Sequence, residues 1–319
     1  MQSQIAANSA KAQKNTGFGY QLKRFYSQRY LQAMALPGIV WMIIFCYIPL
    51  VWIVIAFKEY DIVRPVWSAP WVGFMHFIDF FKDEQFLTVM KNTFGISLLR
   101  LLIGFPAPII FALLLNEIRL VQFKKVVQTI SYLPHFLSWV ILGGIVAPWL
   151  SETGFITTVL YHLNIIPEQT LLLGEPKYFW QIAVISDIWK ELGWSAIIYI
   201  AAISGIDPSL YEASTVDGAG RFRKIWSITL PCIKGTIAIL FVLAVGSILN
   251  TNFDQILVLK NSLNRSASTV LDIFVYQMGI QSGRFSYATA IGLIRSVVSL
   301  FFLLLANTVT KKLTDSSLF

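Results

Sequence analysis

The chain has 319 residues, of which 56% are hydrophobic and only 13% are charged. Its mean hydropathy is +0.65, and a soluble domain cannot bury that much apolar surface, so the composition excludes a soluble globular protein and indicates an integral membrane protein. A formal net charge of +8 would favour nucleic acid as the partner of a soluble protein, but in a membrane protein the charge is read loop by loop.

Six apolar stretches are long enough to cross a hydrocarbon core of roughly 30 Å as helices. They lie at residues 33–57, 93–115, 130–150, 179–203, 232–250 and 287–309. These stretches predict an all-α, polytopic bundle of six transmembrane helices over residues 31–310, with tails at 1–30 and 311–319. Pro134, His135 and Pro148 predict that the third helix is irregular.

The distribution of basic residues predicts the orientation of the bundle. The two tails and the even-numbered loops carry 13 Lys and Arg residues, against 8 in the other three loops. Since cytoplasmic segments are the more basic ones, we expect both termini in the cytoplasm of a multi-pass protein of the cell inner membrane.

Charges within the fourth stretch are candidates for function, because an unpaired charge near the bilayer centre costs at least ~2.5 kcal/mol. Asp187, Lys190 and Glu191 are three and four residues apart and therefore share one helical face. With Trp189 and Trp194 nearby, this face is a candidate lining for the path of a polar solute. The alternative is a local ion pair between Asp187 and Lys190.

Two arginines, Arg100 and Arg295, lie well inside the second and sixth stretches. Each can pair with an acid such as Asp187 or Glu191, or with an anionic group of the solute. We favour structural pairing and keep both arginines as candidates for the path.

The polar segment 204–231 connects the fourth and fifth stretches. An Asp-Pro start signal predicts a short helix over residues 208–217. Gly218 and Gly220 are expected to end it in the left-handed conformation, which glycine adopts without a Cβ clash. Apolar residues at a spacing of three and four after Arg221 predict a second helix that lies on the membrane surface.

This segment resembles the EAA loop of the membrane subunits of ATP-binding-cassette importers. The resemblance rests on Glu212, Ala213, Ser214, Gly218, Ile228, Leu230 and Pro231, with serine in place of the second alanine. In that family the loop is cytoplasmic and its short helix docks in a groove of an ATPase subunit. The resemblance covers most of the chain, from about residue 33 to 309, and implies an importer-type permease bundle. The alternative is an ordinary amphipathic loop between spans.

The residues that follow the fifth stretch bear on the transported solute. Asn250 and Asp254 are further candidates for the path, and Phe253-Asp254-Gln255-Ile256 resembles a stretch of the oligosaccharide and polysaccharide branch of these permeases. This resemblance implies a carbohydrate cargo. A basic lining from Arg100, Lys190 and Arg295 is compatible with an acidic, uronate-type sugar, and a neutral sugar fits equally well.

No catalytic, metal or cofactor site is expected in this chain. It has no GxxxxGK[ST] motif, its three histidines are far apart, and its two cysteines have no metal-ligand spacing. The resemblance therefore implies that ATP and Mg²⁺ bind to two separate ATPase subunits. It also implies a second permease subunit and an external solute-binding protein, beside the carbohydrate and membrane lipid, and no nucleic acid.

Two other classes of protein are weighed against an ATP-driven importer. A gradient-driven secondary transporter or a channel also needs charges inside the membrane, but has no reason to contain an EAA-like loop. A membrane-embedded enzyme would need a convergent nucleophile or metal set, and none is visible at a recognisable spacing.

Overall fold

The structure is a computed structural model that describes residues 27–314. The predicted tails, 1–30 and 311–319, lie mostly outside the described residues. Regular structure in the described range is helical, apart from one isolated antiparallel bridge between Lys58 and Trp71. The predicted all-α class is confirmed.

The described residues form helices that we number α1 to α15. Their bounds are Arg29–Met42, Met75–Lys82, Phe86–Leu99, Pro106–Glu117, Val121–Tyr132, Trp139–Trp149, Phe155–His162, Pro176–Ser204, Pro208–Val216, Arg221–Lys224, Leu230–Gly246, Phe253–Leu259, Arg265–Ser268, Leu271–Tyr276 and Phe285–Thr314. Segments of π or 3₁₀ geometry extend several of them: Ile43–Tyr47, Ile48–Phe57, Arg100–Gly104, Leu133–Phe136, Ile225–Thr229 and Gln277–Gln281. The chain divides into two compact units between Val54 and Ile55.

Helices long and apolar enough to cross a membrane account for four of the predicted spans. Within the described residues they are Arg29–Phe57, Phe86–Glu117, Arg221–Gly246 and Phe285–Lys312. A bent pair, Val121–Phe136 and Trp139–Trp149, makes a fifth if it counts as one span. The fourth predicted span is α8, which is 29 residues long. Every 18-residue stretch of α8 contains at least three charged residues, so even its most apolar stretch is more charged than those of the other long helices.

The third predicted span is irregular, as its prolines indicate. The two halves of the bent pair meet at 104°. Leu133–Phe136 is a 3₁₀ turn that contains Pro134, and Leu137 is extended before α6 begins. Proline lacks the N–H of a regular helix and so favours this break.

The expected separation of a surface helix from the fifth span is wrong. A separate helix was expected from Arg221, followed by a span from residue 232, but one continuous helix runs from Arg221 to Gly246. A π turn, Ile225–Thr229, ends two residues before Pro231, and the helix continues past the proline without a break. The polar loop is therefore joined to the span by continuous helix.

Helix α8 lies at the centre of the second unit. It packs against α3, α4, α5, α11 and α12, and its buried residues Phe179, Ala183 and Val184 belong to the largest apolar cluster. The approach of α5 is unusually close, because a Cβ atom added at Gly193 would lie 2.3 Å from the carbonyl oxygen of Ser131. These contacts hold the charged face of α8 in a fixed position.

Candidate functional site

A cavity of about 600 Å³ lies where two interruptions of the helices meet the middle of α8. The interruptions are the π turn Arg100–Gly104 and the non-helical segment Ser247–Asn252 that follows α11. Polar residues that line the cavity include Arg100, Asp187, Glu191, Asn250, Asn252 and Asp254. Irregular backbone at the depth of a membrane persists where it lines such a cavity.

The sequence-predicted residues divide between this cavity and other places. Arg100, Asp187, Glu191, Asn250 and Asp254 line it together, as their prediction for a solute path requires. The other candidates are placed elsewhere: Trp189 lines a separate apolar cavity of about 510 Å³, Trp194 lines a third cavity, Lys190 is buried against the bent pair, and Arg295 binds Asp272.

Arg100 and Asp187 form an ion pair at the cavity wall. The Nε atom of Arg100 lies 2.9 Å from Oδ2 of Asp187, and the side chains are 23% and 13% exposed. The Nε–H is not aligned for a hydrogen bond, so the contact is mainly a charge pair. The amide of Asn252 donates to Oδ1 of Asp187 at 3.1 Å. Arg100 is therefore paired with an acid of its own chain, as we favour from the sequence.

Arg100 also holds the non-helical segment. Its guanidinium donates to the carbonyl oxygens of Asn250 at 3.2 Å and Thr251 at 3.5 Å, and to Oε1 of Gln255 at 3.2 Å. Asn252 has φ +60°, a left-handed conformation that is uncommon for residues other than glycine. Such conformations persist when their surroundings enforce them, and they are frequent at functional sites.

A second arginine–aspartate pair fixes the segment from its other side. Arg295 donates to Oδ1 of Asp272, and Oδ2 of Asp272 accepts from the backbone N–H and the hydroxyl of Thr251, both at 3.1 Å. Arg295 therefore pairs with an acid, as favoured from the sequence, but the acid is neither Asp187 nor Glu191. Both arginines hold Thr251 and its neighbours in place.

The charges of α8 do not pair as the alternative prediction had it. Lys190 is 6% exposed and lies 3.3 Å from Oε1 of Glu191 rather than against Asp187. Its Nζ atom donates to the carbonyl oxygen of His135 at 2.6 Å. The prediction of an Asp187–Lys190 ion pair is wrong, because residues three apart are turned by about 60° on a helix, which is enough to send Lys190 to the bent pair.

Sequence reasoning missed several groups at this site. Ser97 lines the cavity, is 5% exposed, and has no hydrogen-bond partner for its hydroxyl among the described residues. Asn252 and Gln255 carry no charge, and only their position after the fifth span could have pointed to them. His135 was dismissed as isolated, although the adjacent Pro134 already marked a break where its ring could reach another helix.

The EAA-like loop has the cap and the glycine that were predicted. Asp207 caps α9, and the N–H of Ser209, which donates to this carboxylate at 2.9 Å, holds the pKa of Asp207 below its usual value. Gly218 has φ +72°, so the left-handed end of α9 is confirmed. Gly220 has φ −72° and is extended; its predicted left-handed conformation is wrong, because one such residue suffices to turn the chain.

Side-chain contacts tie α9 to the helix that leads into the fifth span. The hydroxyls of Tyr211 and buried Thr229 lie 2.9 Å apart, and Nζ of Lys224 donates to the hydroxyl of Thr215 at 2.7 Å. The outer surface of the loop is apolar in part, with large side chains that are more than two-thirds exposed. They are Val216, Phe222 and Trp226.

The family positions lie on both surfaces of this loop. Glu212, Ala213 and Gly218 are exposed, whereas Ser214 is half-buried and donates to the carbonyl oxygen of Tyr211 at 2.8 Å. Three further family positions lie on the continuous helix. Ile228 and Leu230 are half-buried, and Pro231 is exposed. In the part of the chain that the structure describes, no cluster of three or more His, Cys, Asp or Glu residues could hold a metal ion.

Comparison with known proteins identifies relatives of this fold and loop. The family described as "Binding-protein-dependent transport system inner membrane component" matches residues 86–315. Protein LplB of Bacillus subtilis is 42% identical over 292 residues, which cover 91% of each chain. The polygalacturonan/rhamnogalacturonan transport system permease protein YteP of the same organism is 41% identical over 298 residues, 93% of this chain and 92% of its own.

Solved structures agree in fold and sequence. A chain of a bacterial ABC transporter involved in the import of the acidic polysaccharide alginate matches with a TM-score of 0.84 and 41% identity, covering 92% of this chain and 99% of that one. A chain of the bacterial alginate ABC transporter in complex with an alginate pentasaccharide-bound periplasmic protein also gives 0.84, at 40% identity, covering 93% and 99%.

Proposed function

The chain belongs to the family of binding-protein-dependent transport system inner membrane components, and from this premise we propose that it forms, with a second permease subunit, the path by which an oligosaccharide or polysaccharide fragment crosses the cytoplasmic membrane. It is a membrane-embedded transport subunit. The observation that carries the proposal is the polar cavity at Arg100, Asp187 and Asn250, walled by interrupted helices, in a family of importers.

The proposed assembly contains four further partners and no cofactor on this chain. Two ATPase subunits bind ATP and Mg²⁺, a second, non-identical permease subunit completes the bundle, and an external solute-binding protein delivers the sugar. The solved relative in complex with a saccharide-bound periplasmic protein supports such delivery. Both termini and the EAA-like loop face the cytoplasm in this proposal, as the basic residues favour.

Helix α9 is the proposed coupling element. When ATP closes the ATPase subunits, α9 moves with the groove that holds it. The hydrogen bonds of Tyr211 and Lys224 pass that movement to the helix from Arg221 to Gly246. Because this helix is continuous, a displacement at its cytoplasmic end reaches the segment after Gly246, which lines the cavity. The loop and the solute path are thereby joined by one rigid body.

The cavity suits a polyol. Carboxylates accept hydrogen bonds from sugar hydroxyls, and amide groups both accept and donate them. Asp187 and Glu191 supply carboxylates to the cavity, and Asn250 and Asn252 supply amides. Relatives are named for polygalacturonan and alginate transport, which supports a carbohydrate and an acidic one among the candidates.

Reconstitution tests the proposal. The permease, its genomic partner permease, the ATPase subunit and the solute-binding protein are assembled in proteoliposomes, and uptake of labelled alginate and galacturonan oligosaccharides is measured with and without ATP. We expect uptake that requires ATP and the binding protein and that persists when an ionophore collapses ion gradients. Uptake that survives ATP depletion and fails with the ionophore would refute it in favour of a gradient-driven transporter.

A further inference from the structure

The bend between α5 and α6 contacts Glu191, a residue that lines the cavity. The two halves of this broken helix meet at 104°, and His135 is in the 3₁₀ turn at the break. Helices that break inside the membrane are elements that can move between two arrangements, as in transporters whose discontinuous helices line the solute site. The contacts that hold this bend therefore bear on the transport mechanism.

Three contacts from α8 hold this bend. Since a carboxylate only accepts, Nδ1–H of His135 donates to Oε2 of Glu191, at 2.7 Å. Nζ of Lys190 donates to the carbonyl oxygen of His135 at 2.6 Å. The imidazole of His135 also stacks on the indole of Trp194, with the ring centroids 4.3 Å apart and the planes 3° from parallel.

Glu191 belongs to this latch and to the cavity at once. Its Oε2 atom accepts from His135 and its Oε1 atom lies 3.3 Å from Nζ of Lys190, while the residue lines the cavity beside Asp187. Its side chain is 33% exposed, so a solute in the cavity can reach it. A carboxylate has about four lone-pair positions, so it can accept from a third donor beside His135 and Lys190. Its charge is then shared among three donors, and the bond to His135 weakens.

The charges around the cavity indicate which chemical group of the solute donates to Glu191. Among the described residues of the spans, Arg100, Lys190 and Arg295 each lie against a carboxylate of the same chain, and only Arg100 lines the cavity. The basic lining that the sequence suggested for an acidic sugar is thus already neutralised here. The groups left for the solute are acceptors and neutral donors, with the unpartnered hydroxyl of Ser97 among them.

We propose that Glu191 is a positioning residue that reports occupation of the cavity to the bend at His135, and that the group it reads is a sugar hydroxyl rather than a sugar carboxylate. This inference rests on the proposed function. A hydroxyl that donates to Glu191 weakens the bond to His135, and the bend then relaxes.

Two variants separate the latch from general stability. Glu191→Gln keeps the shape of the side chain and removes its charge. His135→Phe keeps a ring that stacks on Trp194 and removes only the donor. The matched control is Glu175→Gln, which removes a carboxylate from the exposed N-terminal end of the same helix, 4.0 Å from Lys177.

The bend is measured by electron spin resonance on the complete importer in nanodiscs, with the native cysteines replaced. Labels at Val126 and Ile141, both about half exposed, lie on either side of the bend. Labels at Ile185 and Ile198 lie within α8 and serve as the rigid reference. Alginate pentasaccharide and its carboxyl-reduced, neutral derivative are the probes.

In the native importer we expect either probe to shift the Val126–Ile141 distance and leave the reference pair unchanged. Glu191→Gln and His135→Phe should show the shifted distance without a probe. In both variants the stimulation of ATPase activity by substrate should fall at least 5-fold, the smallest effect of a typical allosteric coupling. A shift with the acidic probe alone would overturn the hydroxyl assignment. Variants that keep the native distance and full stimulation would overturn the role of Glu191.

The failure of this inference differs from the failure of the proposed function. If the native importer takes up no saccharide with ATP and binding protein, the transport function is wrong whatever the bend does. If it does so and the bend responds to neither probe, the transport function stands and the latch is refuted. Glu175→Gln should behave as the native protein in both assays.

Discussion

Replacing Arg100 by glutamine tests whether this arginine serves the fold or binds the solute. The substitution leaves Asp187 buried without its counter-ion and removes the donors to Asn250, Thr251 and Gln255. At 2.9 Å, and with an effective dielectric constant of 20, the gross attraction of the charge pair is about 6 kcal/mol. Most of that offsets desolvation, but breaking one partner of a buried pair typically costs about 3–5 kcal/mol.

We therefore expect Arg100→Gln to lower the free energy of unfolding by about 3 kcal/mol, the lower end of that range because the pair is partly exposed. Asp187→Asn should cost less, since its amide oxygen still accepts from Asn252. The free energy of unfolding that the double variant loses should be smaller, by about 1–3 kcal/mol, than the sum of the two single losses, because the two residues are in direct contact.

The assay is the thermal midpoint of the detergent-solubilised protein, followed by fluorescence-detected size exclusion. A loss of 3 kcal/mol corresponds to a fall of roughly 4–5 °C for 319 residues. The exposed pair of Arg221 and Glu117, 3.8 Å apart, is the matched control, and Arg221→Gln should cost less than about 1 kcal/mol. An Arg100→Gln protein as stable as the native one, with uptake abolished, would refute the structural role and assign Arg100 to the solute.

Three more predictions concern the loop, the packing of α8 and the orientation. Gly218→Val should cost roughly 1–2 kcal/mol of stability, because φ is +72° there. With membrane insertion intact, it should reduce substrate-stimulated ATPase activity about tenfold. Gly220→Val, where φ is negative, should leave the stimulation within about twofold, which corresponds to less than about 1 kcal/mol. Gly193→Ala should lose about 1–3 kcal/mol by overpacking, seen in the thermal midpoint, while Gly144→Ala, whose Cβ meets nothing within 4 Å, should not. Ser214→Cys, in a background without the native cysteines, should react with an impermeant maleimide only in inverted vesicles; labelling in intact cells would contradict a cytoplasmic loop.

The sequence was sufficient for features that depend on local pattern. Long uncharged runs predict spans because lipid admits few other structures, and the left-handed Gly218 and the cap at Asp207 follow from the chemistry of single residues. Charges inside a span must have a polar environment, and from this the sequence predicts that Arg100, Asp187 and Glu191 face such an environment. The structure places all three at one cavity, and their role in a solute path stays a prediction.

Features that depend on partners distant in sequence could not be read in this way. Nothing in the sequence connects His135 to Glu191 or Arg295 to Asp272. The non-helical segment Ser247–Asn252 was missed for a different reason: Ile248 and Leu249 are apolar, so hydropathy extends the span through them. Only the hydrogen bonds that the segment accepts from Arg100 and donates to Asp272 show why the backbone leaves the helix there.

The ion pairs described above also constrain how the nascent chain enters the membrane. Asp187 is 87 residues beyond Arg100, so the helix with the arginine leaves the ribosome long before its counter-ion is made. A lone guanidinium is poorly tolerated in lipid. Because a guanidinium near the bilayer centre costs at least ~2.5 kcal/mol, insertion of the helix that carries Arg100 is most favourable when the helix that carries Asp187 is there to pair with it.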